Sequence, residues 1–144
     1  MNIFKQPYLH PFLFAAYPVL TLLANNLGES RISVGVRSFV FALLFAIFFL
    51  LLWFAVFRNW YKAAILSTLT LFLMFSYGQI YDVLESSNNF GKALGRHRIL
   101  LPFYGGIFLL GFWWVAKKIR NLQRATEFLN IIGLVVLVIP LFQI

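Results

Sequence analysis

The chain contains no cysteine. Disulfides, thiolate nucleophiles and cysteine-held metals are therefore excluded. Acidic residues are nearly as scarce: four Asp and Glu stand against twelve Lys and Arg. Charged residues make up 11% of the sequence, about half of what a soluble domain carries. Histidine occurs only at His10 and His97. No phosphate-binding loop, dinucleotide loop or zinc spacing is present, and no serine, histidine and acid are set at catalytic spacing. What the chain has in abundance is apolar surface: 62% of its residues are hydrophobic, and 18 are phenylalanine. Lipid accommodates that surface and water does not. Inside hydrocarbon the backbone must pair its own hydrogen bonds, which leaves helices or a closed barrel. A barrel requires short segments of alternating polarity. The long unbroken apolar runs select an all-α, polytopic membrane helix bundle.

Hydropathy predicts about five transmembrane helices, at residues 9–27, 38–57, 63–81, 99–116 and 128–144, forming one module over 1–144. Pro11 suits a first helical turn and Pro18 should kink the first span. The second span is apolar on every side and should face lipid over much of its surface. The third carries Ser67, Thr68, Thr70, Ser76, Tyr77, Gly78 and Gln79, a composition that marks the helix packed most deeply among its neighbours. In the fourth, Gly105, Gly106 and Gly111 would admit another backbone closely. The basic stretch 117–127 is expected to extend the fourth helix as an amphipathic piece along the membrane surface. The last span ends abruptly at Ile144, which favours the front part of a longer protein over a short final helix. No secretory cleavage site follows the first run, so it is read as a retained helix.

The excess of cations gives the threading. With the N-terminus inside, seven cations (Lys5, Arg58, Lys62, Lys117, Lys118, Arg120 and Arg124) lie on the inner side and five (Arg31, Arg37, Lys92, Arg96 and Arg98) on the outer. The positive-inside rule prefers this orientation, with the C-terminus outside, in the bacterial cytoplasmic membrane. The net charge of +8 is assigned to anionic lipid head groups and not to nucleic acid, because the cations sit between apolar runs.

The same threading gathers polar groups outside. Asn25, Asn26, Glu29 and Arg31 end the first span, Gln79, Asp82 and Glu85 end the third, and Arg96, His97 and Arg98 open the fourth. Asp82, Glu85, Arg96, His97 and Arg98 are the candidate contacts for a lipid head group or an ion. Arginine pairs suit phosphate, and two carboxylates three residues apart share a helical face. A bland alternative stands beside each: helix anchoring for the cations and solvated or ion-paired interface residues for the acids. No metal site is predicted, since a hard cation asks for about six oxygens. A haem held by two histidines is disfavoured because His10 and His97 fall at opposite ends, and a pigment is not expected. Bound lipid is the one ligand anticipated.

The opening HPFLFAAYPVLTLLANN, the stretch KAAILSTLTLFLMFSYGQIYDVL and the following GRHRILLPFYGG resemble the N-terminal multi-helix region of a group of large bacterial membrane proteins. Some members carry an extracytoplasmic domain of the sulfatase or phosphoglycerol-transferase kind. The resemblance covers roughly residues 8–116 and implies a membrane module. The catalytic residues of that group lie beyond the helices, so none is carried over to this chain. Three roles follow as expectations. The first is a non-catalytic module that anchors a longer cell-envelope protein and contacts a lipid head group on its outer face. The second is a complete small accessory subunit, partnered with other membrane subunits of an energy-converting or photosynthetic complex. The third is a small transporter component, with a water-accessible stripe along Ser67, Thr70, Tyr77 and Gln79.

Overall fold

The fold is given by a computed structural model, which describes residues 3–26, 32–87, 89–94 and 96–144. All regular structure among these residues is helical: α1 (Leu9–Asn25), α2 (Ile32–Phe57), α3 (Trp60–Glu85), α4 (Asn89–Leu94), α5 (His97–Trp113) and α6 (Leu122–Gln143). A 3₁₀ turn, Ile3–Lys5, precedes α1, and α5 runs on into a π-helical turn, Trp114–Lys118. Four of the helices are long and apolar enough to cross a membrane, with α1 a shorter apolar helix of 17 residues. The chain is a multi-pass membrane protein.

Contacts between neighbours run as a ladder. Leu23 of α1 meets Gly35 of α2. Phe54 stacks on Trp60 across the α2–α3 corner at 4.0 Å, and Trp53 Nε1 donates to Thr70 Oγ1 at 3.2 Å. Between α3 and α5 Tyr104 donates to Ser76, and Lys62 Nζ donates to the Ala116 carbonyl in the π-turn that follows α5. On α5 and α6, Val115 shares a cluster with Leu122 and Leu129. These pairings run the helices alternately up and down, so α1 and α6 are parallel, and Gly133 of α6 backs onto Leu13 and Phe14 of α1. The seven-cation set from Lys5 to Arg124 therefore lies at one end of the bundle, and Asn26, Asp82, Glu85 and His97 lie at the other.

The third span is the most buried: 39% of its apolar window is covered, against 17% or 22% in the other long helices. Leu66, Ser67 and Leu71 are wholly buried on it. Ser67 Oγ donates to the Ala63 carbonyl and Thr70 Oγ1 to that of Leu66, so both hydroxyls are satisfied one turn back within the helix. α2 is exposed along Phe41, Leu44, Phe48 and Leu51, yet Ala42, Ala46 and Leu50 form a buried stripe. Small residues four apart, invisible to a hydropathy count, mark its packed face.

Several boundaries differ from the sequence reading. α2 starts at Ile32, six residues before the expected 38, and in this added part Gly35 lies against the Leu23 side chain. Arg37 is thereby a helical residue that reaches solvent from an exposed position, as long cationic side chains do at membrane ends. At about 1.5 Å per residue, the 26 residues of α2 are longer than a hydrocarbon layer of roughly 30 Å. Arg58, with φ 50°, and Asn59 alone link α2 to α3. Asn59 Oδ1 accepts the amides of Tyr61 and Lys62 and starts α3 at Trp60. The expected surface extension over 117–127 is not formed. The helix ends at Lys118 after the π-turn, and Asn121 caps a new start by accepting from the Arg124 amide. Glu29 and Arg31 lie outside the described residues.

The glycines divide in a way that corrects their common reading. A Cβ built on Gly111 would stand 2.5 Å from Leu69, but on Gly105 or Gly106 it would meet nothing within 4 Å. Only Gly111 is a close-approach glycine in α5. At Gly133 a Cβ would stand 3.1 Å from Leu13 Cβ. Gly133→Leu is therefore expected to destabilise the detergent-solubilised protein by about 1–3 kcal/mol through overpacking. Gly105→Ala should leave thermal stability unchanged or slightly raised. Parallel melting of the two variants checks this.

Candidate head-group site

The chain at the end opposite the basic cluster folds back between α3 and α5 through the short α4. A depression of about 380 Å³ there is lined by Tyr81 and Glu85 of α3, Lys92 of α4, and Arg96 and His97 at the start of α5. Helical spacing sets up one wall: Tyr77, Tyr81 and Glu85 are each four residues apart and stack along one face. Lys92 and Arg96 bring two cations to the same depression from the other side.

His97 is its fixed centre. Its ring lies flat on Tyr81, with centroids 4.6 Å apart and planes 7° apart. Its Nδ1 is 2.5 Å from the Tyr77 hydroxyl. Tyr77 in turn meets the ring of Tyr104 edge-on at 5.2 Å. Tyr104 is buried and donates to Ser76 Oγ at 3.3 Å. This chain of contacts ties an exposed imidazole to the α3–α5 interface. Arg96 occupies the N-cap position of α5 with no side-chain cap bond. The N-terminus of α5, with its positive dipole end, thus opens at two of the residues that line the depression. Lys92 and Arg96 bring two cations to the depression against the one carboxylate of Glu85. Two cations, a helix N-terminus and stacked aromatics suit a phosphate-bearing or other anionic group with an apolar body.

Of the five residues singled out from the sequence, Glu85, Arg96 and His97 line this depression, while Asp82 and Arg98 are exposed outside it. α3 does continue through Asp82 to Glu85, so the two carboxylates keep their three-residue helical spacing, with Glu85 alone lining the depression. Among the described residues no group of three His, Asp or Glu is arranged to hold a metal ion. The sequence reading missed Tyr77, Tyr81 and Lys92. The four-residue spacing of Tyr77, Tyr81 and Glu85 along α3 was the available signal. His10 is elsewhere: it is wholly buried, with Nδ1 2.5 Å from Thr68 Oγ1. Thr68 and Tyr81 are thirteen residues apart on α3, about 20 Å along the helix axis, so the two histidines share no site.

A larger cleft of about 420 Å³ opens between α1 and α2 beside Pro18, Leu22, Val34, Gly35 and Phe75. A smaller one of about 270 Å³ lies on the other side of Pro18, against Phe72, Ser76 and Ile132. Both are chiefly apolar and bear no charged side chain.

Comparison with known proteins gives no match to a family model, to a curated protein or to a solved structure.

Removing the Tyr77 hydroxyl tests the local geometry. In Tyr77→Phe the ring-nitrogen ¹⁵N resonances of His97 should move while those of His10 stay in place. The loss of stability should be about 1 kcal/mol, as for one exchanged hydrogen bond. Unmoved His97 resonances would show that the contact is not made.

Proposed function

We propose that this chain is a non-catalytic membrane module that holds the head group of an anionic lipid in the Tyr81, Glu85, Lys92, Arg96 and His97 depression. The reading rests on one observation: Lys92 and Arg96 flank a histidine already fixed by Tyr77 and Tyr81 at the head of α5. A lipid phosphate would accept from Arg96 and Lys92 at the N-terminus of α5, and the glycerol region would lie against the aromatic wall. The clefts beside Pro18 are of the size and polarity that acyl chains take.

Orientation belongs to the same proposal. The end bearing Lys5, Arg58, Lys62, Lys117, Lys118, Arg120 and Arg124 faces the cytoplasm of a bacterial cell, and the lipid site faces outward, in the cytoplasmic membrane. The N-terminus is then inside and Ile144 outside. The resemblance to the helical part of large cell-envelope proteins fits a module that anchors a longer protein. A second reading, an accessory subunit of a larger membrane complex, draws support from Gly78, Gly105 and Gly106. An added Cβ on any of these would meet open space, so a neighbouring helix could close on that side.

In nanodiscs, the full chain should retain phosphatidylglycerol in preference to phosphatidylcholine by native mass spectrometry. The double variant Lys92→Ala/Arg96→Ala should lose that preference. Each cation contributes about 1 kcal/mol beside anionic lipid, so the change reaches roughly thirtyfold at most. Equal retention of both lipids by the unaltered chain would overturn the reading. Because the chain has no cysteine, single replacements report sidedness cleanly. Lys92→Cys should react with a membrane-impermeant maleimide added outside intact spheroplasts, and Lys118→Cys only after lysis. The reverse pattern would invert the orientation.

A further inference from the structure

His97 is the one histidine in the head-group depression, and histidine is the side chain whose charge ordinarily changes between about pH 5 and 8. Phenols, ammonium groups and guanidinium groups hold their charge over that range, and carboxyls ordinarily titrate below it. α3 brings Tyr77, Tyr81, Asp82 and Glu85 to this end of the bundle, α4 brings Lys92, and α5 brings Arg96 and Arg98. The contacts of His97 suit either state of its ring. Nδ1 is 2.5 Å from the Tyr77 hydroxyl, and a phenol both donates and accepts. In the neutral ring Nδ1 accepts the Tyr77 hydrogen and Nε2 carries the ring hydrogen. In the protonated ring Nδ1 donates to the Tyr77 oxygen, whose own hydrogen turns elsewhere. Tyr81 lies flat on the imidazole, with centroids 4.6 Å apart, and the face of an aromatic ring favours a cation. Uptake of a proton therefore breaks none of these contacts. The ring is exposed, so the proton reaches it directly from the aqueous side.

We infer that His97 makes the head-group site pH-sensitive: its protonation adds a third cation beside Lys92 and Arg96 and tightens the hold on an anionic lipid. The inference rests on the head-group reading above. Its sign follows from linkage. A bound phosphate favours the charged ring, so a fall in pH must favour the bound phosphate. The lipid is held more strongly on the acid side of the imidazole transition and more weakly on the alkaline side. Glu85 is the competing source of such a dependence, because protonating its carboxylate would also make the depression more positive.

The test places the full chain in nanodiscs of mixed phosphatidylglycerol and phosphatidylcholine, equilibrated at about pH 5.5 or about pH 7.5 on the two sides of the imidazole range. Native mass spectrometry then counts the lipids that stay bound. The preference for phosphatidylglycerol should be greater at the lower pH by up to about fivefold, the factor that one further cation contributes beside anionic lipid. In His97→Gln the preference should be the same at both pH values, whatever its level. In Glu85→Gln the dependence on pH should persist. A phosphatidylglycerol preference that is equal at both pH values in the unaltered chain would overturn the inference and leave the head-group reading standing. Absence of any preference at either pH removes both. A dependence that survives His97→Gln, or that vanishes in Glu85→Gln, also overturns the assignment to His97.

Discussion

A polar atom that leaves water for hydrocarbon must take its partner from the protein, and this requirement organises the bundle around α3. Ser67 and Thr70 turn their hydroxyls onto carbonyls of their own helix. Thr70 also receives the Trp53 indole from α2, Thr68 reaches His10 on α1, and Ser76 receives Tyr104 from α5. Each tie costs little because the alternative, an unpaired group in oil, costs several kcal/mol. The central helix is consequently the most polar of the long spans and the most buried. That order is the opposite of what holds in water and the natural one in a membrane.

That central position was readable from sequence because small and hydroxylated residues in a long apolar segment have few other uses. The number and order of the spans were readable for a similar reason, since runs of about twenty apolar residues have one stable environment. Helix ends were less readable. The early part of α2 packs Gly35 against Leu23, and the start of α6 is capped by Asn121. Both are contacts between residues whose proximity hydropathy does not encode. The glycines of α5 make the same point. Gly105, Gly106 and Gly111 are equivalent as letters, yet only Gly111 faces Leu69.

The head-group depression was partly legible. Charge and threading brought Glu85, Arg96 and His97 to one end. Nothing in the charge pattern identified Tyr77 and Tyr81 as the residues that fix the histidine, because aromatic residues at membrane ends have an ordinary interfacial use. Asp82 was included for its charge; it stands exposed beside the depression and is not among its lining residues. The buried Asn130 was read as part of the last apolar span and drew no notice. Its clasp of the Phe4 and Gln6 carbonyls depends on the parallel packing of the first and last helices, a relation between residues more than a hundred positions apart.

The corner between α2 and α3 bears on how the protein is made. Arg58 in a left-handed conformation and Asn59 as cap are all that separate the two longest helices, and Phe54 closes on Trp60 across them. So short a link leaves no slack for one segment to settle in the bilayer while the other waits in the aqueous pore of the insertion machinery. The two helices must partition together, as a preformed hairpin. The very greasy α2 thereby draws in α3, whose serines and threonines would make it a reluctant passenger alone.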